Sequence, residues 1–372
     1  MYGDALGRSW SELVTPALVL DLNLARRNSE HMAEQLRSMP AKLRPHIKTH
    51  KNSELARMQV EAGAIGVGTA TVWEAAIMAE AGIEDIFVIN QVTGAAKVRT
   101  LCDIARRARV MVAIDDAGNA AELSAAALAA GVELGAVIEV DTGMDRSGVD
   151  TAEQALELAL HLAGLKGLRF QGLTGYEGHC SEEFDPVARA EKQRTAMSFF
   201  VGVADRLEAS GFPCPVLSAG GTATWYLTGM LPRITEIQAG SYLLMDAYHG
   251  GPKGLIPGSG FEFALTVAST VISRPRGRLI VDCGSKSIGE PGMSWIVDHE
   301  TMEVVGFHEE HGVFDEPTDS GLRIGDVVRL IPGYTPYTVN YYDAYHVVEG
   351  GVVVDIWPII PRGPGHCGLV KD

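Results

Sequence analysis

The sequence predicts a (β/α)8 barrel followed by an all-β domain. Two observations carry that prediction. From residue 14 to residue 250, short apolar runs alternate with amphipathic helical segments. Beyond Gly250 the long helical segments stop, and strand signals follow one another with hairpin turns between them. The apolar runs have no clean period of two, as expected of parallel strands covered by helices on both faces. About eight such units suit a closed barrel better than an open sheet.

Taken in order, PALVLDL at 16–22 reads as a strand, and the segment after it places Leu24, Met32, Leu36 and Met39 at helical spacing. KLRPHI is the next strand, and SELARMQVEAG a helix closed by Gly63. AIGVGT, IEDIFVIN, VMVAIDD, ELGAVIEVD, LRFQGLTGY, CPVLSAGG and ITEIQAG are the further strands. Helices separate most of them, and the longest runs from Asp185 to Ser210. The barrel is therefore expected over 14–250. The β-domain is expected over 251–372 with residues 1–13 joining it, from FEFALTVASTVIS, GRLIVDCG, VVGFHEEHGVF, GDVVRLIPG and VVEGGVVVDIWPI.

The 372 residues are 46% hydrophobic, enough for a large core plus a smaller one. The net charge of −16 argues against nucleic acid and anionic membranes as partners. Five scattered cysteines without a CxxC motif suggest a reducing compartment. The N-terminus lacks the pattern of a signal peptide, and the apolar runs fall short of the roughly 18 residues a membrane span needs. A cytoplasmic protein is expected.

Against that acidic background, LRPHIKTHKN at 43–52 gathers Arg44, His46, Lys48, His50 and Lys51. Lys48 follows a predicted strand, at the end where barrels keep their chemistry. Its basic neighbours are expected to lower its pKa. A lysine that is partly neutral can bond to a carbonyl cofactor such as pyridoxal 5'-phosphate. Two late glycine loops suit the phosphate. SAGGT and QAGSY offer Ser218, Gly220, Gly221, Thr222, Gly240, Ser241 and Tyr242. In IEVDTGMDRSG, Arg146 follows Glu139 and Asp141 and is a candidate to face the cofactor ring. TGYEGHC ends another strand and supplies Tyr176 and His179, a stacking group and a proton-transfer group.

TPALVLDL, RPHIKTHK, GVGTATVWEA, IEVDTGMDRSGV, the Gly-Tyr-Glu-Gly-His run, SAGGT and QAGSYLLMD resemble the D-threonine aldolase and D-serine dehydratase-like family. These are fold-type III pyridoxal enzymes with an alanine-racemase-like barrel, and the resemblance covers nearly the whole chain. It implies that Lys48 is the Schiff-base lysine, that Arg146 faces the pyridine nitrogen and that Tyr176 lies by the cofactor. It places the phosphate cradle around Gly221, Thr222, Gly240 and Ser241. It also implies a homodimer and a small amino-acid substrate.

The chain departs from the family at IPGYTPYTVN, 331–340. Relatives usually carry a histidine after the Pro-Gly or Pro-Asn pair and a cysteine or aspartate two residues later, which bind a divalent ion. Tyr334 and Pro336 stand there instead. A neutral phenol is a poor ligand and a proline side chain is none. His366–Cys367, adjacent near the end, is a weak substitute. The expected function is a metal-independent lyase, of aldolase or aldol-transfer type, acting on β-hydroxy-D-amino acids. The alternatives are a racemase or epimerase with Lys48 and Tyr334 as opposed bases, a D-serine-type dehydratase, and a cofactor-binding protein without turnover.

Overall fold

The computed structural model describes residues 3–275, 277–316 and 318–363. It divides into two compact units. One holds residues 32–48 and 53–240; the other holds the chain up to His31, Thr49–Asn52 and the segment from Ser241.

The first unit is the barrel. Its eight parallel strands are Lys42–Leu43, Val67–Thr69, Asp85–Val88, Arg109–Ile114, Leu134–Glu139, Leu168–Thr174, Val216–Ala219 and Glu236–Ile237. From Val67–Thr69 to Glu236–Ile237 each pairs in parallel with the next, and Lys42–Leu43 pairs with Glu236–Ile237. A parallel bridge between His46 and Gly68 joins the first strand path to the second and closes the ring. Val67–Thr69, Asp85–Val88 and Leu134–Glu139 are buried throughout, which is why they read as continuous apolar runs. Phe87, Met111, Ala113 and Val137 pack together inside.

The helices start where side chains satisfy their first N–H groups. Thr71 accepts from the Glu74 N–H, Asp116 from that of Asn119, and Asp185 from those of Val187 and Ala188. Thr151 and Gln154 form a reciprocal capping box. The longest helix spans Pro186–Ala209, as its sequence predicts. No described helix is long and apolar enough to cross a membrane.

The second unit is a nine-stranded sheet. Leu265–Ser273 is central, flanked by Arg278–Val281 and Val327–Ile331. Val304–Phe307 and Gly312–Asp315 form a hairpin, as do Ala344–Glu349 and Val352–Pro358. Ala17–Asp21, placed in the barrel by the sequence reading, belongs here. It runs antiparallel to Leu265–Ser273 and parallel to Ala344–Glu349. Its Ala17 and Val19 pack with Leu13, Ala268, Val348 and Val353. An apolar strand buried on both faces looks the same in either kind of sheet, so its composition could not choose.

Candidate active site

Lys48 sits in the single turn Ile47–Thr49, just past the first strand path, and is half-buried. Its backbone N–H donates to His46 Nδ1 at 3.4 Å. Its Nζ lies 5.8 Å from the centre of the Tyr176 ring, and the Arg146 guanidinium carbon lies 5.8 Å from the same ring. Loops after three different strands thus bring the expected lysine, arginine and tyrosine together.

Burial lowers the Lys48 pKa from its ordinary 10.5, and the Arg146 charge lowers it further, while Glu74 acts the other way. The sequence assigned this effect to other residues. Arg44 is instead neutralised by Asp85 and Glu236. The Lys51 ammonium is held by Asn340 Oδ1 and the Pro361 carbonyl, each at 3.1 Å. Glu74 was missed. It is a buried carboxylate that accepts the Ala70 N–H at 2.7 Å.

The DTGMDRSG loop is shaped by Asp141. Its carboxylate accepts the N–H groups of Gly143 and Met144, at 2.8 and 2.7 Å, and that of Arg146 at 3.3 Å. Gly143 has φ +113°, and a Cβ there would come 3.1 Å from the His179 ring. The loop therefore carries Arg146 outward on one side and backs the His179 imidazole on the other. His179 Nδ1 is buried with no partner among the described residues, and Cys180 Sγ lies 3.8 Å from Nε2. Burial pushes the Cys180 thiol up to about 12, so it is no nucleophile at neutral pH.

The Tyr176 ring is wedged between two glycines. A Cβ on Gly178 would lie 2.3 Å from Tyr176 Cε1, and one on Gly221 would lie 3.1 Å from Cε2. Gly221 was expected from sequence, and Gly178 was not. Glu177, also missed, organises the glycine loop from full burial. It accepts the Gly220 N–H at 3.1 Å and the hydroxyls of Thr224 and Thr228 at 2.7 and 2.6 Å. Ser218 Oγ accepts from Gln238, and the Gly221 N–H goes to Thr224. Thr222 and Gly240 are buried in the same unit.

The remaining expected residues lie in the second unit. Ser241 opens the turn Ser241–Leu243, with its hydroxyl 3.4 Å from that of Thr49. The Tyr242 side chain is fully buried, its ring 5.4 Å from Phe261, so backbone atoms are what it has to offer a cofactor. Tyr334 packs in an aromatic group with Tyr248, Tyr337 and His249. His249 is fixed by Asp246, which accepts from its Nδ1 at 2.7 Å and from its backbone N–H at 3.0 Å. Asp246 also accepts the N–H and hydroxyl of Thr335.

The barrel residues fit pyridoxal phosphate. An amine with a lowered pKa, a guanidinium, an aromatic ring and a loop whose Gly221 lies close against that ring stand at one end of the strands. A model of the alanine racemase N-terminal domain matches residues 20–247, and one of a serine dehydratase domain matches 264–348. A D-threonine aldolase from Arthrobacter sp. is 37% identical over 97% of this chain and 95% of its own. The chain belongs to the D-threonine aldolase and D-serine dehydratase-like family. It is a pyridoxal-phosphate-dependent enzyme of the aldolase/lyase class. A 3-hydroxy-D-aspartate aldolase from Paracoccus denitrificans (strain Pd 1222) is 33% identical over the same shares. Among solved structures, a D-threonine aldolase from Filomicrobium marinum superimposes with a TM-score of 0.91 at 34% identity, covering 96% of this chain and 98% of its own. A D-threo-3-hydroxyaspartate dehydratase from Delftia sp. HT23 gives 0.82 at 27%, covering 95% and 98%.

Among the described residues, the donors around Tyr334 do not fit the divalent ion that the resemblance implies. Tyr334 and Pro336 occupy the ligand positions, and the nearby Asp343 is paired with Arg362. Asp246 already has four donors. Among the described residues no group of three or more His, Cys, Asp or Glu side chains is arranged to hold a metal. His366 and Cys367 lie outside the described residues.

Proposed function

We propose that this chain is an aldolase that cleaves the Cα–Cβ bond of β-hydroxy-D-amino acids without a divalent ion, giving glycine or another small amino acid and an aldehyde. The observation that carries the reading is the grouping of Lys48 and Arg146 around one Tyr176 ring. The aldolases named among the relatives support the substrate class. Bound pyridoxal phosphate supplies an electron sink for the pair released at Cα. Lys48 holds the cofactor through its amine, and Arg146 keeps a positive charge beside it. Tyr176 packs against it. Ser218, Gly220, Gly221, Thr222 and Gly240 provide the barrel's phosphate cradle. His179 accepts the β-hydroxyl proton.

The choice between cleavage and dehydration follows from leaving groups. Hydroxide leaves poorly and gains most from a Lewis acid. Retro-aldol cleavage needs a base on the β-hydroxyl, and His179 is one. Losing the metal ligands therefore costs dehydration more. Incubation with a panel of β-hydroxy-D-amino acids is expected to release aldehyde, at a rate unchanged by EDTA. A ketoacid as main product would overturn the aldolase reading. A stoichiometric ion whose removal stops turnover would overturn metal independence. The same reading includes a homodimer, which light scattering tests, and a cytoplasmic location, supported by the four cysteines among the described residues, which are buried and form no disulfide.

Gly178→Ala tests the wedge around Tyr176. The added methyl drives the ring from its place, an overpacking cost of about 1–3 kcal/mol. Cofactor affinity is expected to fall about tenfold or more, with the far-UV CD spectrum preserved. Unchanged affinity would show that the Tyr176 position does not matter to the cofactor.

A further inference from the structure

Glu139 ends the strand Leu134–Glu139 with its side chain 9% exposed. Both carboxylate oxygens have donors. Gln91 Nε2 donates to Oε2 at 2.5 Å, and Ser147 Oγ to Oε1 at 3.1 Å. Oε1 also lies 3.5 Å from Arg146 Nη2. Gln91 is itself fixed, because its amide donates to Asp115 Oδ2 at 3.0 Å, and the same oxygen takes the Gly148 N–H. A polar chain thus runs from Asp115 through Gln91 and Glu139 to Arg146. Burying a carboxylate is costly unless it is paired. An apolar side chain would end the strand as well, so the fold alone does not ask for this one.

Arg146 explains the placement. Its side chain is half-exposed and would otherwise sample many rotamers. Its backbone is fixed by Asp141, but its guanidinium has Glu139 on one side and the Tyr176 ring on the other. We propose that Glu139 is a positioning residue of the cofactor site, which fixes the Arg146 guanidinium beside Tyr176 and Lys48. This rests on Lys48 being the lysine that holds the cofactor. The charged groups around Arg146 are Glu139, Asp141 and Lys48, with Asp115 behind Gln91. Those around Lys48 are Arg146 and Glu74, with His46 against its backbone.

Without Glu139 the Arg146 guanidinium leaves its place, and the Lys48 ammonium, relieved of that charge, holds its proton to higher pH. The readout is the pH at which the full-length protein, stripped of cofactor, takes up pyridoxal phosphate at half its maximal rate. Glu139→Gln and Arg146→Gln are each expected to move that midpoint up, by up to about one pH unit. In the Arg146→Gln background, Glu139→Gln is expected to add no further shift, because it acts through the guanidinium. Glu139→Asp keeps the charge and is expected to keep the wild-type midpoint. If Glu139→Gln does not fold, Arg146→Lys carries the test: it keeps a charge but loses the fork, so the midpoint stays while the cofactor dissociates faster. A Glu139→Gln shift of equal size in both backgrounds, or none in either, would overturn the proposal. So would an Arg146→Lys protein that holds cofactor as tightly as wild type. A wild-type protein that takes up no pyridoxal phosphate at any pH would overturn the underlying reading of Lys48.

Discussion

Lys48→Ala is expected to lower turnover by about 10³-fold or more, because in the proposed site its amine is what holds the cofactor. Borohydride treatment should fix the cofactor to wild-type protein and fail to fix it to the variant, as read by mass. Fixation in the variant would place the attachment on another lysine. The pH behaviour has a defined sign. The ordinary value is 10.5, and burial and Arg146 hold the folded value below it. Cofactor uptake needs the neutral amine, so its rate should rise with pH and level off below 10.5. Between the folded and unfolded values the unfolded chain binds more protons, so stability of the stripped protein rises with pH across that window. Below the folded value the cost of burying the ammonium is fully present. Lys48→Met removes that cost. The stripped variant is therefore expected to be more stable than stripped wild type at neutral pH, although it is inactive. A less stable variant would mean that the amine is well solvated in the folded protein.

The residues legible in the sequence are those whose chemistry is local. The segment from Asp185 to Ser210 reads as one long helix, and the structure forms it over Pro186–Ala209. Lys48, Arg146 and Tyr176 were each placed past a strand end by their own segments, and the barrel brings those ends together. What stayed hidden is whatever depends on distant partners. Glu177 looked like one more polar residue in TGYEGHC, because the threonines that bind it lie 47 and 51 positions on. Gly178 looked like turn punctuation, since nothing local shows that a ring fills the space beside it. Glu139 and Asp141 looked alike, two acids ahead of Arg146 in IEVDTGMDRSG. Only the fold separates the carboxylate that shapes the backbone from the one that meets Arg146.

Arg44 is the clearest case of charge whose purpose the sequence concealed, and Arg44→Met is expected to destabilise the barrel by about 3–5 kcal/mol. Its guanidinium is 2% exposed and makes a two-pronged contact with Glu236, at 2.9 and 2.8 Å, and a third with Asp85 at 2.7 Å. Those acids lie 192 and 41 positions away and open two of the barrel strands. Removing the arginine leaves two carboxylates nearly buried without their main cation. Arg109 also reaches Asp85, but it is 69% exposed, so Arg109→Ala should change stability by no more than about 1 kcal/mol. Chemical denaturation of both variants separates the two contributions. An Arg44→Met protein within about 1 kcal/mol of wild type would mean that water reaches these acids and the pairing is that of a surface. The same variant probes the site, because Arg44 precedes Lys48 by four residues on the path joined to the second strand at His46. If that anchor holds the path in register, Arg44→Met should slow cofactor uptake under conditions where the protein is still folded. In that respect it should differ from Arg109→Ala, which leaves the path untouched.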